Sequence, residues 1–188
     1  LQQMRRPGFT HLTVAVNLSG ASLSNDIYIQ TLLKMTQPFP EVRSRLLIEV
    51  TETAAVGDLE AANRRLGLLR DAGIRVCLDD FGVGAASFEY LQNLSVDIVK
   101  IDGSFIRDVD TSERTRTLLG HLVGLCRSLK VATIAEMIET EAQADAVRAL
   151  GVDMGQGFLF GRPSADPVMP VPARATPVRR RQGEVTGW

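Results

Sequence analysis

The sequence predicts an α/β fold built on a parallel sheet with helical crossovers. Two observations carry that expectation. Along 188 residues, six short apolar runs alternate with segments of helical character, the pattern of repeated strand–helix units. Each run also ends on or near a polar side chain. In parallel sheets the carboxyl ends of the strands share one face, and sites are built there.

The elements follow in order. "HLTVAVNLSG" (11–20) reads as the first strand, and a helix is expected from about Ser24 to just before Pro38. "SRLLIEVTET" is the second strand. Asp58 then caps a helix whose Leu59, Ala62, Leu66 and Leu69 form one apolar stripe, with Gly73 as its stop. "IRVCLDDFG" is a strand, "SFEYLQNL" a short helix, and "VDIVKID" the fourth strand. A long helix capped by Ser112 leads to the strand "VATIAEM". The helix "ETEAQADAVRALG" precedes a last short strand, "MGQGFLFG". Beyond Pro163 the chain is rich in proline and arginine without periodicity, so 164–188 reads as a mostly disordered tail. Its Arg179–Arg181 run reads as a solvated charge cluster.

Composition narrows the function classes. An apolar fraction of 45% excludes wholesale disorder, and 188 residues can bury one domain core. A net charge of −1 gives no field that would draw the molecule to nucleic acid or an anionic membrane. Cys77 and Cys126 both lie in apolar runs, which argues against a disulfide framework or zinc site and suits a reducing cytoplasm. No apolar run approaches ~20 residues, the span of a bilayer, and no signal peptide is visible. The chain begins with Leu1 rather than Met, so it is expected to be a piece of something longer.

The polar residues at the strand ends are Asn17, Glu49, Asp79 with Asp80, Lys100 with Asp102, Glu136 and Gln156. Alternation puts Leu47, Glu49 and Thr51 on one face, and likewise Cys77 with Asp79 and Lys100 with Asp102. If these faces point into a barrel, the groups converge. Several carboxylates stay ionised together only beside a cation, and oxygen donors suit Mg²⁺ or Mn²⁺. Acids, one amide and one lysine match metal-assisted phosphoryl chemistry. One acid at a strand end is more often a helix cap or a solvated group; the sixfold repetition is what argues for a site. Glu52 and Glu139, each three residues past a candidate ligand, fit supporting or capping roles. His11 and His121 lie outside the pattern, and Cys77 reads as filling.

"VNLSG", "IEVTET", "DDFGVG", "VKIDGSF", "IAEMIET" and "GQGFLFGRP" together resemble the EAL domain family, over about Thr13 to Pro163. The family hydrolyses the bacterial second messenger cyclic di-GMP to the linear dinucleotide. The resemblance implies a modified (β/α)8 barrel over 1–163 with one antiparallel strand. It makes Asn17, Glu49, Asp79, Asp80 and Glu136 ligands of Mg²⁺ or Mn²⁺. Lys100 becomes the lysine on the catalytic water, and Gln156 and Glu52 join Lys100 and Glu136 in the catalytic set. Asp102 and Pro163 become substrate contacts. A homodimer and an upstream sensor or cyclase-like domain are family features to be expected as well.

Three departures temper this. The Glu-Ala-Leu triplet that names the family is absent from the 188 residues. The six strands are roughly two short of the full barrel, which takes about 250 residues. The loop after Asp80 carries Val83, Ala85 and Ala86 where the family has hydroxyl side chains, which puts the coupling of dimerisation to metal binding in question. Met137 stands where the family more often has glycine. The leading expectation is therefore a cyclic di-GMP phosphodiesterase domain that is inactive in this truncated form. The alternative is a non-catalytic cyclic di-GMP receptor or interaction domain on the same fold.

Overall fold

In a computed structural model, residues 3–5, 12–51, 58–82 and 87–163 are described. The proline- and arginine-rich tail, His11, Glu52, and the substituted loop positions Val83, Ala85 and Ala86 lie outside them.

Six strands form one sheet in simple sequence order, every neighbouring pair parallel. They are β1 (Val14–Asn17), β2 (Leu46–Thr51), β3 (Arg75–Phe81), β4 (Ile98–Ile101), β5 (Ala132–Ala135) and β6 (Met154–Gly155). Between them run α1 (Gly20–Leu23), α2 (Asp26–Thr36), α3 (Pro40–Arg43), α4 (Leu59–Asp71), α5 (Ser87–Asn93), α6 (Glu113–Ser128) and α7 (Glu141–Ala149). The result is a curled, partial (β/α)8 barrel, and the expected parallel α/β architecture is observed.

Strands β2, β3 and β4 are built for burial on two faces, which is why they read as nearly unbroken apolar runs. Outward residues Ile48, Val50, Val76, Leu78, Val99 and Ile101 pack in one core with Leu66 and Leu69 of α4, Leu119 and Val123 of α6, and Val147 of α7. Full burial of each such side chain stabilises by about 1.5–3 kcal/mol. The inward face carries a second, smaller cluster: Leu47, Cys77 and Ile98, joined by Ala132 and Ile134. Cys77 is filling, as its sequence context suggested.

Caps set where the helices start. Asp58 accepts the amide of Ala61 at 2.8 Å, and Ser112 that of Thr115 at 3.2 Å. Gly73, at φ 85, ends α4 in the left-handed region where glycine is unstrained. The second helix starts at Asp26, two residues past Ser24, because Asn25 caps it, accepting the amides of Ile27 and Tyr28. At α7, Thr140 and Gln143 form a reciprocal capping box.

The last strand is much shorter than "MGQGFLFG" suggested. Gln156 still donates its amide to Ala135 and accepts that of Ile138, but Phe160 then turns back to donate to the carbonyl of Gly157. The ladder ends because the chain folds into this turn against the backbone of Ile138.

Candidate active site

The inner cluster of Leu47, Cys77 and Ile98 forms a floor, and the polar residues stand above it at the carboxyl end of the sheet. Lys100 is central. It is 5% exposed, and such burial of an ammonium is tolerated only with charged partners. Its Nζ lies 2.8 Å from Glu136 Oε1, 2.9 Å from Asp79 Oδ1 and 3.5 Å from Glu49 Oε1. Four strand ends, β2 to β5, thus meet at one nitrogen.

The electrostatics follow from that geometry. Burial works against the Lys100 ammonium, but its bonds to Glu136 and Asp79 outweigh it and hold the proton well above the ordinary lysine range. For Glu136 burial dominates: it pushes the carboxyl up, and Lys100 offsets only part of that. Cys77 beneath them is pushed far up by burial and by the Glu49 carboxylate, so it is an inert thiol.

Asp79 and Asp80 are sequence neighbours, and strict alternation would send them to opposite faces. The structure resolves the conflict with an irregularity. Leu78 pairs with Val99 and Phe81 with Ile101, so three steps on β3 match two on β4. This is a bulge, and Asp80 takes a left-handed φ of 56 within it. Phe81 returns to the core, while Asp79, Asp80 and Glu136 come to lie with ligand atoms all within 4.8 Å of one another. That group is oxygen-only and has already drawn in an ammonium as a counter-charge. Its donor chemistry therefore fits a hard divalent cation such as Mg²⁺ or Mn²⁺.

The other expected residues are placed as follows. Asn17 ends β1 as the register partner of Glu49 and is exposed. Asp102 follows the end of β4 at Ile101; its carboxylate accepts the Ser104 amide at 2.9 Å and caps a 3-10 turn at Gly103–Phe105. Gln156 and Pro163 are exposed on the segment after β6. Glu139 donates its backbone amide to Gln143. Met137 sits at φ 56, a left-handed conformation that glycine adopts more readily than methionine.

Two residues missed by sequence reasoning hold the frame. Asp97 accepts from Arg70 at 3.0 and 2.8 Å and from the Val76 amide at 2.9 Å, tying α4 and β3 to the start of β4. Asp153 likewise binds the amide and hydroxyl of Thr133 at 2.8 and 2.9 Å. An acid immediately before an apolar run was the available signal for Asp97.

This arrangement can be set beside known proteins. A family model for the EAL domain matches residues 1–163.

The chain belongs to the EAL domain family.

Among curated relatives, cyclic di-GMP phosphodiesterase PdeB of Shewanella oneidensis is 33% identical over 150 residues, covering 80% of this chain and 18% of that protein. The chain spans about a fifth of the length of the curated relatives it matches. Among solved structures, an EAL domain protein from Listeria monocytogenes superposes with a TM-score of 0.77 at 30% identity, over 86% of this chain and 64% of that one. BlrP1 of Klebsiella pneumoniae, in a complex with manganese and cyclic di-GMP, gives 0.72 at 30% identity, over 80% of this chain and 39% of that one. No helix among the described residues is long and apolar enough to cross a membrane.

Proposed function

We propose that this EAL chain supplies the acid ring and lysine of a site that hydrolyses cyclic di-GMP to the linear dinucleotide. The observation that carries the reading is the convergence of Glu49, Asp79 and Glu136 on the buried Lys100 ammonium at the strands' carboxyl ends. The relatives' phosphodiesterase activity and the manganese and cyclic di-GMP held by BlrP1 support it.

In this reading Asn17, Glu49, Asp79, Asp80 and Glu136 hold Mg²⁺ or Mn²⁺. The bound cation supplies positive charge that acidifies water and offsets charge developing on the phosphoryl oxygens. The chain's residues do the remaining work. Lys100 contacts the attacking water or donates to a phosphoryl oxygen, and the phosphoryl contact strengthens as charge builds up there in the transition state. Gln156 and Glu52 orient the polar groups around it, and Asp102 and Pro163 border the substrate. One phosphorus–oxygen bond forms to water. The bond to the leaving ribose oxygen breaks, and the water's proton ends on that oxygen. The reaction belongs to a protein in which these residues stand beside a Glu-Ala-Leu segment, and the 188 residues by themselves are not expected to turn over.

The test is chromatography of cyclic di-GMP incubated with Mg²⁺ or Mn²⁺ and either the 188-residue chain or the chain joined to a Glu-Ala-Leu-bearing segment. Linear dinucleotide should form only with the second. A joined form that binds the compound and never cleaves it would overturn the reading in favour of a receptor.

A further inference from the structure

In its present contacts Lys100 has two of its three donors committed to carboxylates rather than to a phosphodiester. An ammonium has three N–H donors. Here they face three carboxylates: hydrogen-bonded partners Asp79 and Glu136 at 2.9 and 2.8 Å, and Glu49 at 3.5 Å. Two donors are committed to hydrogen bonds, and the third faces the Glu49 carboxylate at the longer distance. The same contacts occupy oxygens that a cation would use. Asp79 Oδ1 accepts from Lys100 and also from the Asp80 amide at 3.0 Å, and Glu136 Oε1 is taken by Lys100.

One ammonium among three carboxylates leaves a net negative charge, so the ring still attracts a divalent cation. The cation and the ammonium would, however, repel each other at close range in a poorly solvated site. A carboxylate shared between the two gives each less than it gives one alone.

We propose that Lys100 is the counter-cation of the acid ring, and that it gives up Asp79 and Glu136 when a divalent cation enters. The release turns its donors toward the phosphodiester. Cation binding and arming of the lysine are then one event, so a substrate arriving before the cation meets a lysine already engaged. This rests on the phosphodiester reading above, and its test is chosen to stand apart from turnover.

The experiment titrates the protein and Lys100→Met with Mg²⁺ and Mn²⁺ alone, without nucleotide, by calorimetry, and follows thermal unfolding with and without cation. Methionine keeps the apolar stem and removes the charge. The variant should bind cation at least tenfold more tightly. In chelator it should melt below the unsubstituted protein, and cation should raise its melting temperature by the larger amount. Equal or weaker cation binding by Lys100→Met would overturn the inference. Should the variant fail to fold, the unsubstituted protein decides: the ¹⁵Nζ resonance of Lys100 should shift, and its protons exchange faster, on saturation with Mg²⁺. An unmoved resonance overturns the inference. Absence of cation binding in both proteins overturns this inference and the metal-dependent reading together. An exchange of partners, with no linear product from the chain joined to a Glu-Ala-Leu-bearing segment and given cyclic di-GMP, overturns only the hydrolytic reading.

Discussion

Glu136 Oε1 lies 2.8 Å from Lys100 Nζ although the two residues are not register partners: Lys100 pairs with Ile134, and Glu136 stands just beyond the end of β5. The contact exists because Glu136 follows Ile134 on the same side of the chain and reaches back over the sheet edge. Its backbone amide, donated to the carbonyl of Ile101, anchors that position. The carboxylates thus meet the lysine from different heights, Glu49 from within β2, Asp79 from a bulge and Glu136 from past a strand end. They form a ring around the ammonium rather than a row along the edge.

This unequal placement predicts unequal weight in cation binding. Asp79 and Glu136 belong to the compact group with Asp80, whereas Glu49 touches the ammonium at a longer 3.5 Å. Asp79→Asn and Glu136→Gln should each weaken Mn²⁺ affinity at least tenfold, which is about 1.4 kcal/mol. Glu49→Gln should weaken it by less. Calorimetric titration checks the order, and a larger loss for Glu49→Gln would contradict it.

The legible part of the site was the part governed by alternation. Glu49, Asp79 and Lys100 follow from period-two patterning at the ends of apolar runs, and the structure brings them together. Asp80 stood among the strand-end polar residues, but alternation alone sends it away from Asp79, and only its likeness to a family motif implied that it is a ligand. The bulge that recovers it is a backbone feature without a sequence period. Asp102 is a different case: its distance of two from Lys100 suggested a shared face, and the structure shows its carboxylate capping the 3-10 turn that follows β4. The two short helices α1 and α3 also went unread, since a single turn is too short to show a helical period.

Asp102 should therefore matter to stability in a pH-dependent way. Burial pushes its carboxyl up, but hydrogen bonds from Ser104 and the Gly103 amide outweigh this and hold it below the ordinary aspartate value. A group depressed in the folded state stabilises above its unfolded value, about 3.9, and that contribution is lost as pH falls through the lower folded value. Asp102→Ala should cost about 1 kcal/mol at pH 7, the usual worth of such a cap. The gap between the two proteins in urea unfolding should narrow below about pH 4. A gap that stays constant down to pH 3 would show that the charge of Asp102 does not contribute.

The turn after β6 carries the last prediction. A Cβ added at Gly157 would run into the backbone nitrogen and carbonyl of Ile138. Backbone cannot swing aside as a flexible side chain can, so the strain must be taken up by moving one segment. Two hydrogen bonds join these segments, Ile138 to the Gln156 carbonyl at 3.0 Å and Leu159 to the Ile138 carbonyl at 3.0 Å. Gly157→Ala should destabilise the protein by about 1–3 kcal/mol, the range for overpacking a closed site. Gly124→Ala is the control. Its Cβ meets nothing in α6, so alanine there should be neutral or stabilising by about 0.5–1 kcal/mol. The effect should also reach the site. Ile138 lies two residues from Glu136, so pushing the segments apart should shift Glu136 and weaken Mn²⁺ binding in Gly157→Ala but not in Gly124→Ala. Urea unfolding and calorimetric titration of both variants check the two halves. Full stability and unchanged cation affinity in Gly157→Ala would mean that the turn relaxes without disturbing Glu136.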